Sequence, residues 1–106
     1  LSHVLDAFPG ARIIAAHMGG QSMWNAVEEY LVGRDLYFDT SYSLKFMDTS
    51  QFLRIIKNHS QKRILFATDS PWADQAEEIE RIKSSGLEKT VLDDILCNNA
   101  ANLLKV

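Results

Sequence analysis

Two strand ends carry the residues of this chain best suited to chemistry. His17 stands in Ala15-Ala16-His17-Met18-Gly19-Gly20, and Asp69 in Phe66-Ala67-Thr68-Asp69-Ser70-Pro71-Trp72. Each follows a short apolar run and precedes a helix. That places both at the carboxyl edge of a parallel sheet, the rim where α/β proteins keep their chemistry. An imidazole and a carboxylate on one rim suit metal ligation or general acid–base work. Together they are half a site, because catalytic zinc centres commonly take three protein ligands.

Other rim residues are weaker candidates. Asp39, Thr40 and Ser41 also end a strand, where Asp39 can meet a substrate, although polar turn formers are expected there in any case. Trp72 and Trp24 both follow rim residues and can wall a pocket, and aromatic core packing accounts for them equally well. The Gly19-Gly20 pair lets a substrate or a backbone come close to His17. Asp69 has a bland reading too, as the cap of the turn and helix that follow it. His3 and His59 read as solvated, with His59 serving a helix C-terminus, and Cys97 reads as packing on a C-terminal helix.

The elements that position these groups follow from periodicity. Leu1–Phe8 reads as the end of a helix closed by Pro9-Gly10. Residues 12–17, 36–39 and 63–67 read as strands whose consecutive apolar residues imply cover on both faces. After the first strand, Ser22 is the expected N-cap. Met23, Ala26, Val27, Tyr30 and Leu31 form the buried stripe of the next helix, with Asn25, Glu28 and Glu29 opposite and Gly33 as its stop. Thr40–Met47 reads as a long loop, and Asp48 with Gln51 as a capping box before a stripe of Phe52, Ile55 and Ile56. Asp74 and Glu77 open a further helix with Ile79 and Ile82 buried and Gly86 as its stop. Thr90 caps a segment holding Leu92, Ile95 and Leu96, and a short helix with Leu103 and Leu104 follows Asn98-Asn99. Strand starts 24 and 27 residues apart suit right-handed β-α-β crossovers. Three such units do not close a barrel.

Composition narrows the classes. The 106 residues are 46% apolar and 24% charged, an ordinary globular balance for one domain or part of one. A net charge of −3 with scattered basic residues argues against nucleic acid as a partner. No apolar run approaches the ~20 residues of a membrane span, and no signal-peptide layout opens the chain. With a single cysteine the chain has no internal disulfide and no Cys-rich zinc site. The expected setting is cytoplasmic.

Four segments together carry a resemblance. Ala16-His17-Met18-Gly19-Gly20, Tyr37-Phe38-Asp39-Thr40-Ser41, Ile64 to Trp72, and Ile95 to Leu104 come in the order and spacing of the last third of an amidohydrolase-2-type enzyme. The chain thus resembles the C-terminal portion of a metal-dependent hydrolase of the amidohydrolase superfamily, a TIM barrel. Thr68-Asp69-Ser70-Pro71-Trp72 is the most specific element. Ala67 and Cys97-Asn98 depart from the glycines common in the family. The resemblance implies an α/β fold made of the sixth, seventh and eighth strands of a (β/α)8 barrel, with the N-terminal part absent from residues 1–106 and the chain ending with the family's last helix.

The resemblance also implies roles. Asp69 binds a divalent metal ion, zinc or manganese, and handles the proton of its water. His17 sits beside the metal, as a ligand or as the group that polarises substrate. Asp39 and Trp72 are the substrate-side candidates. The family's His-x-His pair on the first strand and its fifth-strand histidine have no counterpart here. This reading predicts a fragment that holds no metal and is inactive alone, and a small-molecule substrate for the complete enzyme, cleaved at an amide or lactone or decarboxylated. A second reading is a non-catalytic module that forms homo-oligomers through two unpaired sheet edges, or pairs with a missing N-terminal half. A third, an anion held by the Gly19-Gly20 loop, is weakened by the acidic helix behind it.

Overall fold

The computed structural model describes residues 1–105. Three short parallel strands form one sheet in chain order: β1 (Ile14–Ala15), β2 (Tyr37–Asp39) and β3 (Ile64–Leu65). Ile14 and Ala15 register with Tyr37 and Phe38, and Phe38 and Asp39 with Ile64 and Leu65. Helices alternate with them: α1 (Ser2–Ala7), α2 (Trp24–Tyr30), α3 (Thr49–His59), α4 (Gln75–Lys83), α5 (Lys89–Asp93) and α6 (Asn99–Leu104). The expected α/β order of three β-α units is therefore present. The strands are shorter than expected, yet ladder bonds run past their ends, from Tyr37 N–H to the Ile13 carbonyl at 2.8 Å and from Thr40 N–H to the Leu65 carbonyl at 3.0 Å.

The core lies between the sheet and the helices. Phe38, Leu36 and Ile64 from the sheet side meet Val27 and Leu31, then Phe52, Ile55 and Ile56, then Ile82 and Ile95, all buried. Burial of each such side chain contributes roughly 1.5–3 kcal/mol. Two-sided cover, expected from the apolar runs, holds only for β3. In β1 and β2 burial alternates: Ala15 and Phe38 are buried, whereas Ile14 is half exposed and Tyr37 and Asp39 are partly so. The helices seal one face, and the other is open along β1 and β2.

The two edges of the sheet also differ. Phe66 N–H, on the side of β3 away from β2, donates to the Ile95 carbonyl at 3.1 Å. The C-terminal helical run thus covers the outer edge of β3 there, and the expectation of two unpaired edges is corrected to β1 alone.

Helix starts show where local signals lose to tertiary ones. Ser22 has φ +62 and does not cap α2, which begins after Met23. Within the expected α2 stripe, Val27 and Leu31 are buried as read, Met23 and Tyr30 are exposed, and Trp24 is buried in their place. Asp48 precedes α3, but its carboxylate accepts from Ser50 Oγ and from no helix N–H among the described residues, while Gln51 reaches across to Asn25 and Glu28 of α2. Arg54 joins that seam with two bonds to Glu28, at 2.8 and 2.6 Å. Asp74 does cap α4, accepting from Glu77 N–H. Glu88, not Thr90, precedes α5.

No break follows Asn98-Asn99. A wide π turn over Asp94–Asn98 joins α5 to α6. Asp94 there binds Lys62, Gln61 and Asn98, while the buried Asn99 amide donates to the carbonyls of Gln61 and Ile64. These bonds tie the helical run to the amino end of β3, far from the rim. Cys97 in the same turn is exposed and so does not pack.

Candidate functional site: the carboxyl rim of the sheet

His17 opens a single 3-10 turn, His17–Gly19, directly after β1. Its φ is +56 and that of Met18 is +50, a left-handed pair that turns the chain sharply off the strand. Met18 goes fully into the core. Gly19 follows at φ +94, where a Cβ would lie 2.9 Å from Phe38 Cε1 and 3.0 Å from the Val27 methyls. The sequence bends here because one buried side chain and one missing side chain allow it.

The imidazole is held from β2. His17 Nδ1 lies 2.8 Å from the Ser41 carbonyl, and because a carbonyl only accepts, Nδ1 carries the proton. Nε2 is left with its lone pair. His17 N–H donates to Asp39 Oδ1 at 3.2 Å and to Ser41 Oγ at 3.3 Å, and Trp24 Nε1–H donates to the His17 carbonyl at 3.0 Å. Trp24 is therefore buried scaffolding for the histidine. Asp39 Oδ1 further accepts from Ser41 N–H and Ser41 Oγ. Ser43, fully buried, donates to the Ser41 carbonyl at 2.9 Å.

Asp69 leaves β3 by a different route. Thr40, fully buried, donates through Oγ1 to the Ala67 carbonyl and accepts from Ala67 N–H, so its side chain extends the β2–β3 ladder up to the rim. Asp69 then turns at φ +62, and the Ser70–Pro71 peptide is cis. The Asp69 carbonyl accepts from Trp72 N–H at 3.0 Å. Its carboxylate is exposed and does not cap α4, whose cap is Asp74. Trp72 stands 75% exposed beside it.

The two candidates thus lie at the same end of the sheet but on β1 and β3, with β2 between them. Two strand spacings separate them, ~10 Å at the sheet. Among the described residues, no three His, Cys, Asp or Glu side chains converge as a metal cluster. The donor types fit a divalent ion: a neutral imidazole whose other nitrogen is bonded to a carbonyl, and an exposed carboxylate. They supply two ligands.

A family model described as Amidohydrolase matches residues 1–106. The chain is an amidohydrolase-family member. No curated protein sequence matches it. Among solved structures it is similar to the 2,6-dihydroxybenzoate decarboxylase from Rhizobium, at 20% identity with a TM-score of 0.76, covering 96% of this chain and 37% of that one. It is also similar to the 5-carboxyvanillate decarboxylase from Sphingomonas paucimobilis, at 20% identity and a TM-score of 0.76, covering 100% and 37%. The dihydroxybenzoic acid decarboxylase from Polaromonas sp. JS666, determined with bound manganese and the inhibitor 2-nitroresorcinol, is 26% identical with a TM-score of 0.73, covering 98% and 36%. This amidohydrolase chain therefore has the fold of part of a barrel and spans little more than a third of the length of these enzymes.

His59 was expected in solvent and is not there. Half-buried, it accepts from Gly33 N–H through Nδ1 at 2.9 Å and faces the Leu36 carbonyl through Nε2 at 2.8 Å, with its ring 4.6 Å from that of Phe38. A donor on one nitrogen and an acceptor on the other fix the neutral Nε2–H form. Burial lowers its pKa. The main-chain acceptor at Ser41 is not legible in the sequence, and Trp24, read there as a pocket wall or core aromatic, is buried and serves the His17 carbonyl. Only the strand-end position of Ser41 hinted at that acceptor.

Proposed function

We propose that this chain is the C-terminal three β-α units of a metal-dependent amidohydrolase-type barrel enzyme acting on a small molecule, with His17 and Asp69 in its reaction centre. The observation that carries this is the His17 ring, bonded through Nδ1 to a carbonyl and left with a free Nε2 on the rim that also bears Asp69. Three of eight barrel units is close to the 37% of the relatives' length that the chain covers. The remaining five units would supply the further ligands. The exposed apolar residues on the β1 side, Val4, Phe8, Ile14, Met23 and Tyr30, form the face they would meet.

Asp69 and His17 would hold a zinc or manganese ion together with those ligands. When bound, such an ion polarises an oxygen of the substrate and lowers the pKa of its water toward ~7. The Asp69 carboxylate would hold and return a proton, the one that must replace the departing carboxylate on the substrate carbon in a decarboxylation. His17 can stabilise a developing oxyanion or return a proton through Nε2. The exposed Trp72 offers a flat wall beside Asp69 for an aromatic substrate, and Asp39 closes the rim between the two. Decarboxylation of an aromatic acid is the reaction favoured over amide or lactone hydrolysis, because the similar structures are decarboxylases of such acids. Alone, the two donors are too few for turnover.

A chimera tests this. The five β-α units that precede the matched segment in the Polaromonas enzyme would be joined to Leu1. A folded chimera is expected to hold manganese and to release carbon dioxide from a dihydroxybenzoate, both falling on Asp69→Asn. Turnover untouched by Asp69→Asn and His17→Asn in a folded chimera would sink the assignment.

A further inference from the structure

We propose that Asp39 is a positioning residue for His17, acting through Ser41 so that the imidazole keeps its proton on Nδ1 and turns the Nε2 lone pair to the rim. One carboxylate oxygen, Oδ1, accepts from three donors on the two segments that must meet: His17 N–H at 3.2 Å, Ser41 N–H at 3.0 Å and Ser41 Oγ–H at 2.5 Å. That single atom fixes the end of β1 against the turn after β2.

Across this clasp the Ser41 carbonyl meets Nδ1 at 2.8 Å. The carbonyl is aimed from behind as well, since the buried Ser43 hydroxyl donates to it at 2.9 Å. On the far side Trp24 Nε1–H holds the His17 carbonyl at 3.0 Å. The left-handed backbone of His17 is thereby held from both neighbours.

Which nitrogen of a histidine is free is set by the bond the other one makes. The opposite tautomer would put an N–H on the rim, where it could neither ligate nor accept a proton. Asp39 is thus occupied by main-chain and serine donors, a different task from the substrate contact expected of it. The use of the free nitrogen rests on the function proposed above. The clasp does not.

The test is long-range 1H–15N correlation on the His17 ring in the metal-free chain in mildly alkaline buffer, which reads the two neutral tautomers separately. The wild type is expected to show the Nδ1–H form. Asp39→Asn, which keeps an acceptor oxygen, should match it, and Asp39→Ala should shift the tautomer ratio several-fold toward Nε2–H. If Asp39→Ala does not fold, Ser41→Ala removes one of the three donors with Asp39 in place, along with the Ser41 Oγ contacts at 3.3 Å to His17 N and Nδ1, and a shift in the same direction is expected. A purely structural Asp39 would lower stability without moving the ring populations. An Nε2–H ring in the wild type overturns the proposal. So do unchanged populations in folded Asp39→Ala, or in Ser41→Ala where the first variant does not fold. An Nδ1–H ring in a folded chimera that never takes up an ion would instead retire the ligand role and leave the clasp intact.

Discussion

Gly19 answers to two separate constraints, a positive φ and the ring of Phe38 beneath it. Gly86 has the same φ of +94 with nothing within 4 Å of an added Cβ. The pair separates strain from overpacking. Gly86→Ala should cost about 1 kcal/mol from backbone strain alone, and Gly19→Ala about 2–4 kcal/mol because the methyl must also displace Phe38 or Val27. Chemical denaturation of the two variants reads the difference. Three of the six non-glycine residues with positive φ are His17, Met18 and Asp69, so backbone strain gathers at the rim where both chemical candidates stand. Those candidates were legible in the sequence because an apolar run followed by His or Asp marks a strand end. The Ser41 carbonyl was not. A main-chain acceptor has no residue type of its own, and only the fold brings it to Nδ1.

Helices and their joints carry charges whose pH responses have opposite signs. His59 is held neutral between Gly33 N–H and the Leu36 carbonyl, and burial depresses its pKa. Its folded pKa lies below the unfolded value of ~6.5, so its contribution is complete above that pH and is lost as pH falls through the folded pKa. Thermal melts should show wild type losing stability below pH ~6.5 relative to His59→Gln. Glu78 runs the other way. It is buried in α4, its Oε2 has no partner among the described residues, and burial raises its pKa. Glu78→Gln should therefore raise the melting temperature at pH 7, with the gain shrinking as pH falls below ~4.5, where the unfolded carboxylate is also protonated. Asp94 is pulled down to about 2, chiefly by its bond from Lys62, and is a support lost only in strong acid. The sequence showed every helix from its stripe, but misplaced several starts. Gln51 has a stronger offer from Glu28 and Asn25 than from its own helix end, and no local pattern records a partner more than 20 residues away.

At the scale of the molecule the sheet has one open edge and one partly open face. β1 carries exposed Ile14, and the segments before and after it in the chain carry exposed Val4, Phe8, Met23 and Tyr30, whereas the outer edge of β3 is occupied at Phe66 by Ile95. A chain with one sticky edge closes into a pair, while two would propagate. Light scattering should accordingly give twice the chain mass. A monomer would contradict this, and growing oligomers would mean that the Ile95 contact gives way. The three-unit α/β order was readable from strand spacing, and the partial barrel from its motifs. The one-sided cover of β1 and β2 was not, because an apolar run states that a strand can be buried without stating which neighbour buries it.

The central claim is that His17 and Asp69 are two ligands of one centre whose others lie outside this chain. Calorimetric manganese titration of the chimera with the five preceding units, and of its His17→Asn and Asp69→Asn forms, tests this most directly. One site is expected in the unsubstituted chimera, about tenfold or more weaker in each variant, since losing even a group that only orients a ligand costs about 10–100-fold. Equal affinity in all three proteins would place any bound ion elsewhere and contradict the account.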